Sequence, residues 1–281
     1  MSKLLEMFQQ DFMINVLAGT MIVAAICSFL GVFIVLRRAV FVGAALAQVS
    51  SLGVALALFA GGLMANVPRG HAHVAPQPVA LALTLAAAVL MAVQYRERRL
   101  PRETSVGVIY AAAAALAILL VALSTHAESE VLNLLFGNVL TITTGEVIGL
   151  AVLAFVVGLV HALFHKEFLF VSFDPDMATA LGVRARWWNV LLFQTIGMTI
   201  SLAIRAAGAL VVFDFLVLPA ATALILGGTL RVSFVLAIVT GVLSALAGIS
   251  ISYVADLPSG PTIVAVNAVL LAVVFLVRRF V

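Results

Sequence analysis

The sequence predicts an all-α integral membrane protein, a polytopic bundle of about eight to nine transmembrane helices, and two observations carry that prediction. Of 281 residues, 64% are hydrophobic and only 10% charged, far from the balance of a soluble domain. Stretches without Asp, Glu, Lys or Arg cover 12–36, 39–68, 104–127, 147–165, 187–204, 232–255 and 257–277, and a helix needs about 20 apolar residues to cross roughly 30 Å of hydrocarbon. Adding 78–95 and 206–230 brings the spans to about nine. These runs are apolar on all sides instead of alternating, so helices and not barrel strands satisfy the backbone. No soluble domain fits between them, and residues 1–281 read as a single transmembrane domain.

The opening "MSKLLEMFQQDF" sets Leu4, Leu5, Phe8 and Phe12 beside Glu6 and Asp11, which suits a short helix at the outer interface. Asp11 precedes the first run while Arg37 and Arg38 follow it, the reverse of a cleaved signal peptide, so the first span is expected to stay with the N-terminus outside. Nine spans then end with the C-terminus in the cytoplasm, and of the 15 Lys and Arg only Lys3, Arg69 and Arg205 fall outside, as the positive-inside rule asks. The net charge of +3 therefore reflects topology, and nucleic acid is not an expected partner.

Loop 63–77, "LMANVPRGHAHVAPQ", carries Pro and Gly breakers and is expected outside; "YRERRLPRE", 95–103, is basic and expected inside. The run 131–145, "VLNLLFGNVLTITTG", is short and interrupted by Asn133, Gly137 and Asn138, and reads as a re-entrant or interfacial piece. In "FDPDMATALGVRAR", 173–186, Asp174 can cap a helix, Pro175 suits its first position, Asp176 complements its dipole and Gly182 can end it. That segment is the one clear non-spanning helix, about two turns long and cytoplasmic. Pro219 is expected to bend or interrupt the span that contains it. Ala237, Gly241 and Ala245, flanked by Ser244, Gly248 and Ser252, form a small-residue seam for close helix packing. Cys27 is the only cysteine, which excludes an intrachain disulfide or thiolate cluster and reads as a buried thiol.

No G-x-x-x-x-G-K-[ST] occurs, so this chain does not hold ATP through a P-loop, and any ATP-driven work belongs to another subunit. Neither G-x-S-x-G nor H-E-x-x-H is present, and an enzyme is not expected. Asp214 lies in "VVFDFLVLPA", where a central charge costs about 2.5–3.5 kcal/mol and so faces a cavity or a partner. A substrate pathway including Asp214, Gln48 and Gln194 is one expectation. A structural role, with Asp214 protonated or bonded to Gln48, Gln194, Thr195 or Arg205, is the other. Arg205 lies roughly 13 Å away along an unbroken helix, so pairing with it needs a break near 206–208. The metal-ligand set stays unassigned. Asp214 is its first candidate, and His71 and His73 read more simply as incidental loop residues. His126, Glu128 and Glu130 read as a solvated external cluster, and His161 and His165 as interfacial anchors.

Four blocks, "GVFIVLRRAVFVGAALAQVSSLGVALA" (31–57), "LNLLFGNVLTIT" (132–143), "FDPDMATALGV" (173–183) and "RAAGALVVFDFLVLPAATA" (205–223), followed by "DLPSGPTIV" (256–264), resemble in wording and order the metal-transporting ABC permease family. Those are the membrane subunits of importers for zinc, manganese and iron. The resemblance implies a type II-like importer permease of eight to ten helices, paired with a second permease copy in a bacterial inner membrane. It also implies a cytoplasmic dimer of ABC ATPase subunits using ATP and Mg, and a periplasmic or lipid-anchored binding protein that delivers a divalent metal or metal complex. No cofactor is implied in this chain. The segment 174–182 matches the family's coupling helix, which implies that Asp174, Pro175, Asp176, Ala178, Leu181 and Gly182 seat it in the ATPase groove.

One departure bears on the cargo. The family's second block reads G-D-A-L-S-H-A, with an acid and an imidazole four positions apart on one helix face. Here the positions hold Ala44 and Gln48, and the amide oxygen of Gln48 suits hard ions more than zinc. Two alternatives stay open: an ABC permease for a non-metal small solute, and an ATP-independent secondary transporter with Asp214 as its proton site.

Overall fold

The computed structural model describes residues 11–64, 75–94, 101–123 and 142–280. The N-terminal interfacial piece, His71 and His73, the Arg96–Arg99 stretch, the His126, Glu128 and Glu130 cluster and most of the 131–145 run lie outside those residues. In chain order the helices are α1 (Asp11–Leu36), α2 (Val40–Met64), α3 (Pro76–Gln94), α4 (Arg102–Ala122), α5 (Thr144–Leu163), α6 (His165–Phe173), α7 (Pro175–Ala180), α8 (Ala185–Ala207), α9 (Ala209–Leu226), α10 (Leu230–Ala255) and α11 (Ser259–Phe280). Among the described residues, 9 helices are long and apolar enough to cross a membrane: α1 to α5 and α8 to α11.

Helix α1 lies inside the bundle against α9, α10 and α5, while α2 packs on α3 and α4, α3 on α8, and α11 on α9 and α10. The outer helices turn Ile118, Leu119, Val152, Phe155, Val269 and Val273 outward, a surface that hydrocarbon can cover. Lipid tails are as apolar as leucine, so helix association here depends on close fit. The predicted seam on α10 supplies it: Ala237 and Ala245 are fully buried, Gly241 faces the Ser28 hydroxyl of α1, and a Cβ at Gly248 would stand 2.7 Å from the Ile263 Cα of α11. Gly31 of α1 meets the carbonyl of Leu216 on α9 in the same way.

Helix ends meet as an alternating topology requires. At one side Asn15 donates to Thr144 at 3.0 Å, Gln77 donates to the Ser201 carbonyl at 3.4 Å, and Arg205 pairs with Glu146 at 2.8 Å. At the other, Arg37 donates to Ser172 at 2.9 Å and Asn189 to the Ala92 carbonyl at 2.7 Å. Between α8 and α9 stands only Gly208, at φ 82, a left-handed conformation that a side chain resists.

Several boundaries differ from expectation for local reasons. Helix α5 begins earlier, because Thr143 accepts from the Glu146 amide at 3.3 Å and Glu146 accepts from the Thr143 amide at 2.9 Å, a reciprocal cap visible in the spacing T-x-x-E. Helix α6 is a second non-spanning helix that the sequence did not announce. Pro219 neither ends nor interrupts α9, which packs against α1, α10 and α11 and continues despite one missing donor.

Substituting Gly31→Val drives a side chain into a backbone carbonyl and is expected to cost about 1–3 kcal/mol or more. Gly158→Ala, inside α5 where a Cβ meets nothing within 4 Å, does not lower stability. Thermal unfolding of the two detergent-solubilised variants checks the contrast, and equal midpoints would contradict the packing described.

Candidate functional site

Helix α7 is built as the sequence suggested. Asp174 accepts the Met177 amide at 2.8 Å, and Pro175 occupies the first turn, where its missing donor goes unnoticed. At the other end Gly182 takes φ 83, which lets the Val183 amide reach back to the Ala178 carbonyl at 2.9 Å and the Gly182 amide to Thr179 at 3.1 Å. Ala178 is fully buried in a small core with Val171 and Ala185. The opposite face is bare: Phe173, Met177 and Leu181 are 57%, 52% and 68% exposed, beside exposed Asp174 and Asp176. All six residues expected at this element thus sit in or at the caps of one short, firmly seated helix with an apolar and acidic outer surface.

The bundle interior is arranged differently from the weighed alternatives. Asp214 on α9 is 2% exposed, and its Oδ2 accepts from the amide of Asn267 on α11. Its Oδ1 has no hydrogen-bond partner among the described residues. The partners weighed from sequence are engaged elsewhere: Gln194 donates to the Leu85 carbonyl of α3 at 2.9 Å, Thr195 to Leu192 at 2.8 Å, and Arg205, despite the break at Gly208, to Glu146. Gln48 and Ala44 are partly buried on α2. The residues flanking Asp214 on its helix, Phe213 and Leu216, line the space at Gly43 of α2. The acid itself turns to α11. Asn267, a polar residue inside "VAVNAVLL", carries the same kind of signal as Asp214, without the charge.

His161 is a correction. It is 1% exposed, so it turns into the bundle instead of outward as an anchor would, and its Nδ1 meets the Val157 carbonyl at 2.9 Å. Its ring stacks on Phe168 at 4.4 Å and stands edge-on to Phe29 at 5.4 Å. His165 is partly buried, 5.8 Å from the Phe234 ring. Among the described residues, no group of three or more His, Cys, Asp or Glu is placed to hold a metal ion. Arg37, buried where α1 turns into α2, is the polar residue that sequence reasoning undervalued; it reaches Ser172 and Asn189.

The family model described as the ABC 3 transport family matches residues 9–278. The manganese transport system membrane protein MntC of Listeria monocytogenes is 30% identical over 270 residues, 96% of this chain and 92% of that one. A probable iron transport system membrane protein of Haemophilus influenzae is 27% identical, covering 97% and 92%. Among solved structures, PsaBC from Streptococcus pneumoniae in complex with Fab superposes with a TM-score of 0.83 at 23% identity, covering 98% of this chain and 94% of that chain; that likeness concerns the fold.

Asn267→Leu leaves the buried Asp214 without its donor and is expected to cost about 1–3 kcal/mol, whereas Asp214→Leu/Asn267→Leu, which removes both partners, recovers much of it. Thermal midpoints of the three proteins decide this; a double variant as weak as the single one would show that the pair is not the reason.

Proposed function

The chain belongs to the ABC 3 transport family, and from that premise we propose that it is the membrane permease subunit of an ATP-driven, binding-protein-dependent importer for a divalent metal ion. Two copies of the chain, or this chain and a close paralogue, surround one pathway in a bacterial inner membrane, with the N-terminus outside and the C-terminus in the cytoplasm. The distribution of Lys and Arg supports that orientation. A binding protein, periplasmic or lipid-anchored, delivers cargo to the outer side. A dimer of ATPase subunits, which supplies the ATP and Mg chemistry, sits below.

The single observation that carries the coupling is α7. It is capped at both ends and packed from beneath through Ala178, and it offers Met177 and Leu181 to the solvent. Bare apolar side chains on a rigid surface element fit a groove on a soluble partner. ATP binding closes the ATPase dimer and shifts the two seated helices, which moves the spans between outward-open and inward-open arrangements. ATP biases that equilibrium only through its different affinity for the two states, so the seat at α7 changes between them.

The relatives named for manganese and iron agree with the ligand chemistry left at the departed pair. Ala44 offers nothing, and the amide oxygen of Gln48 suits a hard cation such as manganese better than zinc. A second reading, transport of a non-metal solute by the same machinery, is favoured by Ala44 alone. Asp214 remains a pathway candidate only through its unpartnered oxygen.

Co-purification with a P-loop ATPase and ATP-dependent Mn²⁺ uptake in proteoliposomes test the proposal. Met177→Asp/Leu181→Asp is expected to release the ATPase and abolish uptake while leaving the fold intact by thermal melting. An ATPase that stays bound to this variant would remove α7 from the interface. Zinc uptake equal to manganese uptake would overturn the assignment of cargo, and Asp214→Asn with unchanged uptake would take Asp214 out of the pathway.

A further inference from the structure

The buried guanidinium of Arg37 lies between the two arms that hold α7. Its Nε donates to Ser172 Oγ at 2.9 Å, at the end of α6 and two residues before the Asp174 cap. Its Nη1 donates to Asn189 Oδ1, near the start of α8. Asn189 passes the link on, donating to the Ala92 carbonyl of α3 at 2.7 Å. The arms and α7 form one unit, since Val171, Ala178 and Ala185 share a buried core.

Arg37 is itself part of a stiff turn. The Arg38 amide bonds to the Val35 carbonyl and the Ala39 amide to Ile34, both at 3.0 Å, and Arg38 holds φ 54. Immediately after this turn α2 begins, with Ala44 in its second turn and Gln48 in its third. A planar guanidinium fixes the angle between the acceptors it grips, so a displacement of α7 reaches the root of α2 without slack.

We propose that Arg37 is a positioning residue which makes α2 follow the motion of α7, so that ATP-driven movement at the cytoplasmic lever reaches the helix bearing Ala44 and Gln48. The proposal rests on the permease reading above. A role in folding alone predicts loss of the protein. A linking role predicts a protein that still binds and stimulates its ATPase while its pathway no longer answers.

The complex with its ATPase, in proteoliposomes and with Mn²⁺ as the probe cargo, separates the two. Ser172→Ala/Asn189→Leu and Arg37→Lys are expected to lower Mn²⁺ uptake per ATP hydrolysed by about tenfold, within the range of coupling energies seen elsewhere. Ser172→Thr, which keeps the hydroxyl, retains the wild-type ratio. Uptake and hydrolysis falling by the same factor would overturn the proposal. Spin labels at Thr179 on α7 and Phe41 on α2, both exposed, decide it without reference to cargo. Their separation stays constant through the nucleotide cycle in the wild type and changes with nucleotide in Ser172→Ala/Asn189→Leu; a separation constant in both proteins would refute the link. A wild-type complex that hydrolyses ATP without moving Mn²⁺ would count against the cargo and leave the label comparison to judge Arg37.

Discussion

Hydrocarbon offers no hydrogen bonds, so polar groups in the bundle depend on the protein itself for partners. Most find it in their own helix. Thr20 donates to the Val16 carbonyl and Thr84 to Ala80, both at 2.7 Å; Thr199 donates to Thr195 and Thr222 to Leu218, both at 2.8 Å. Hydroxyls satisfied in this way make no demand on neighbouring helices. The helices are then free to approach wherever the side chains are small, as Gly31 does at Leu216 and Gly248 at Ile263.

Against that background the polar side chains that reach across helices stand out, because each fixes a relation that van der Waals packing alone leaves adjustable. Gln194 ties α8 to α3, Asn267 ties α11 to α9, and Arg37 ties the turn after α1 to both flanks of α7. The first two lie within the membrane-spanning bundle. The third sits at the end of the bundle beside α7, where it holds both flanks of that helix together. The aromatic group around His161, with Phe29, Phe33 and Phe168, stiffens the same end of the bundle, where α5 and α6 meet α1.

Membership of a transport family and choice of cargo are separate physical questions. The family match over residues 9–278 concerns the chain as a whole, α7 included. Cargo depends on a few ligand atoms, and at the positions that most resemble a ligand pair this chain has a methyl group and an amide. A neutral amide oxygen is a hard but weak donor, which suits hard cations better than zinc. This points away from zinc and toward manganese-like cations within the proposed function.

The spans were legible in the sequence because crossing a membrane is a local property: a long enough uncharged run must become a helix wherever it lies. Local chemistry also wrote the caps of α7, since Asp174, Pro175 and Gly182 act on backbone groups within a few residues of themselves. The same holds for the cap of α5 at Thr143 and Glu146. The candidate site was only half legible. Asp214 declared itself as a charge among apolar residues, but its partner, Asn267, is 53 residues away, and the choice among several polar residues depends on which helices adjoin. His161 likewise reads as an outward-facing anchor in the sequence, whereas Phe29 and Phe168 enclose it. Run length and capping were settled by the sequence itself, whereas partners were decided only when the packed bundle brought distant segments together, because a hydrogen bond needs two groups within about 3 Å and no linear spacing can guarantee that.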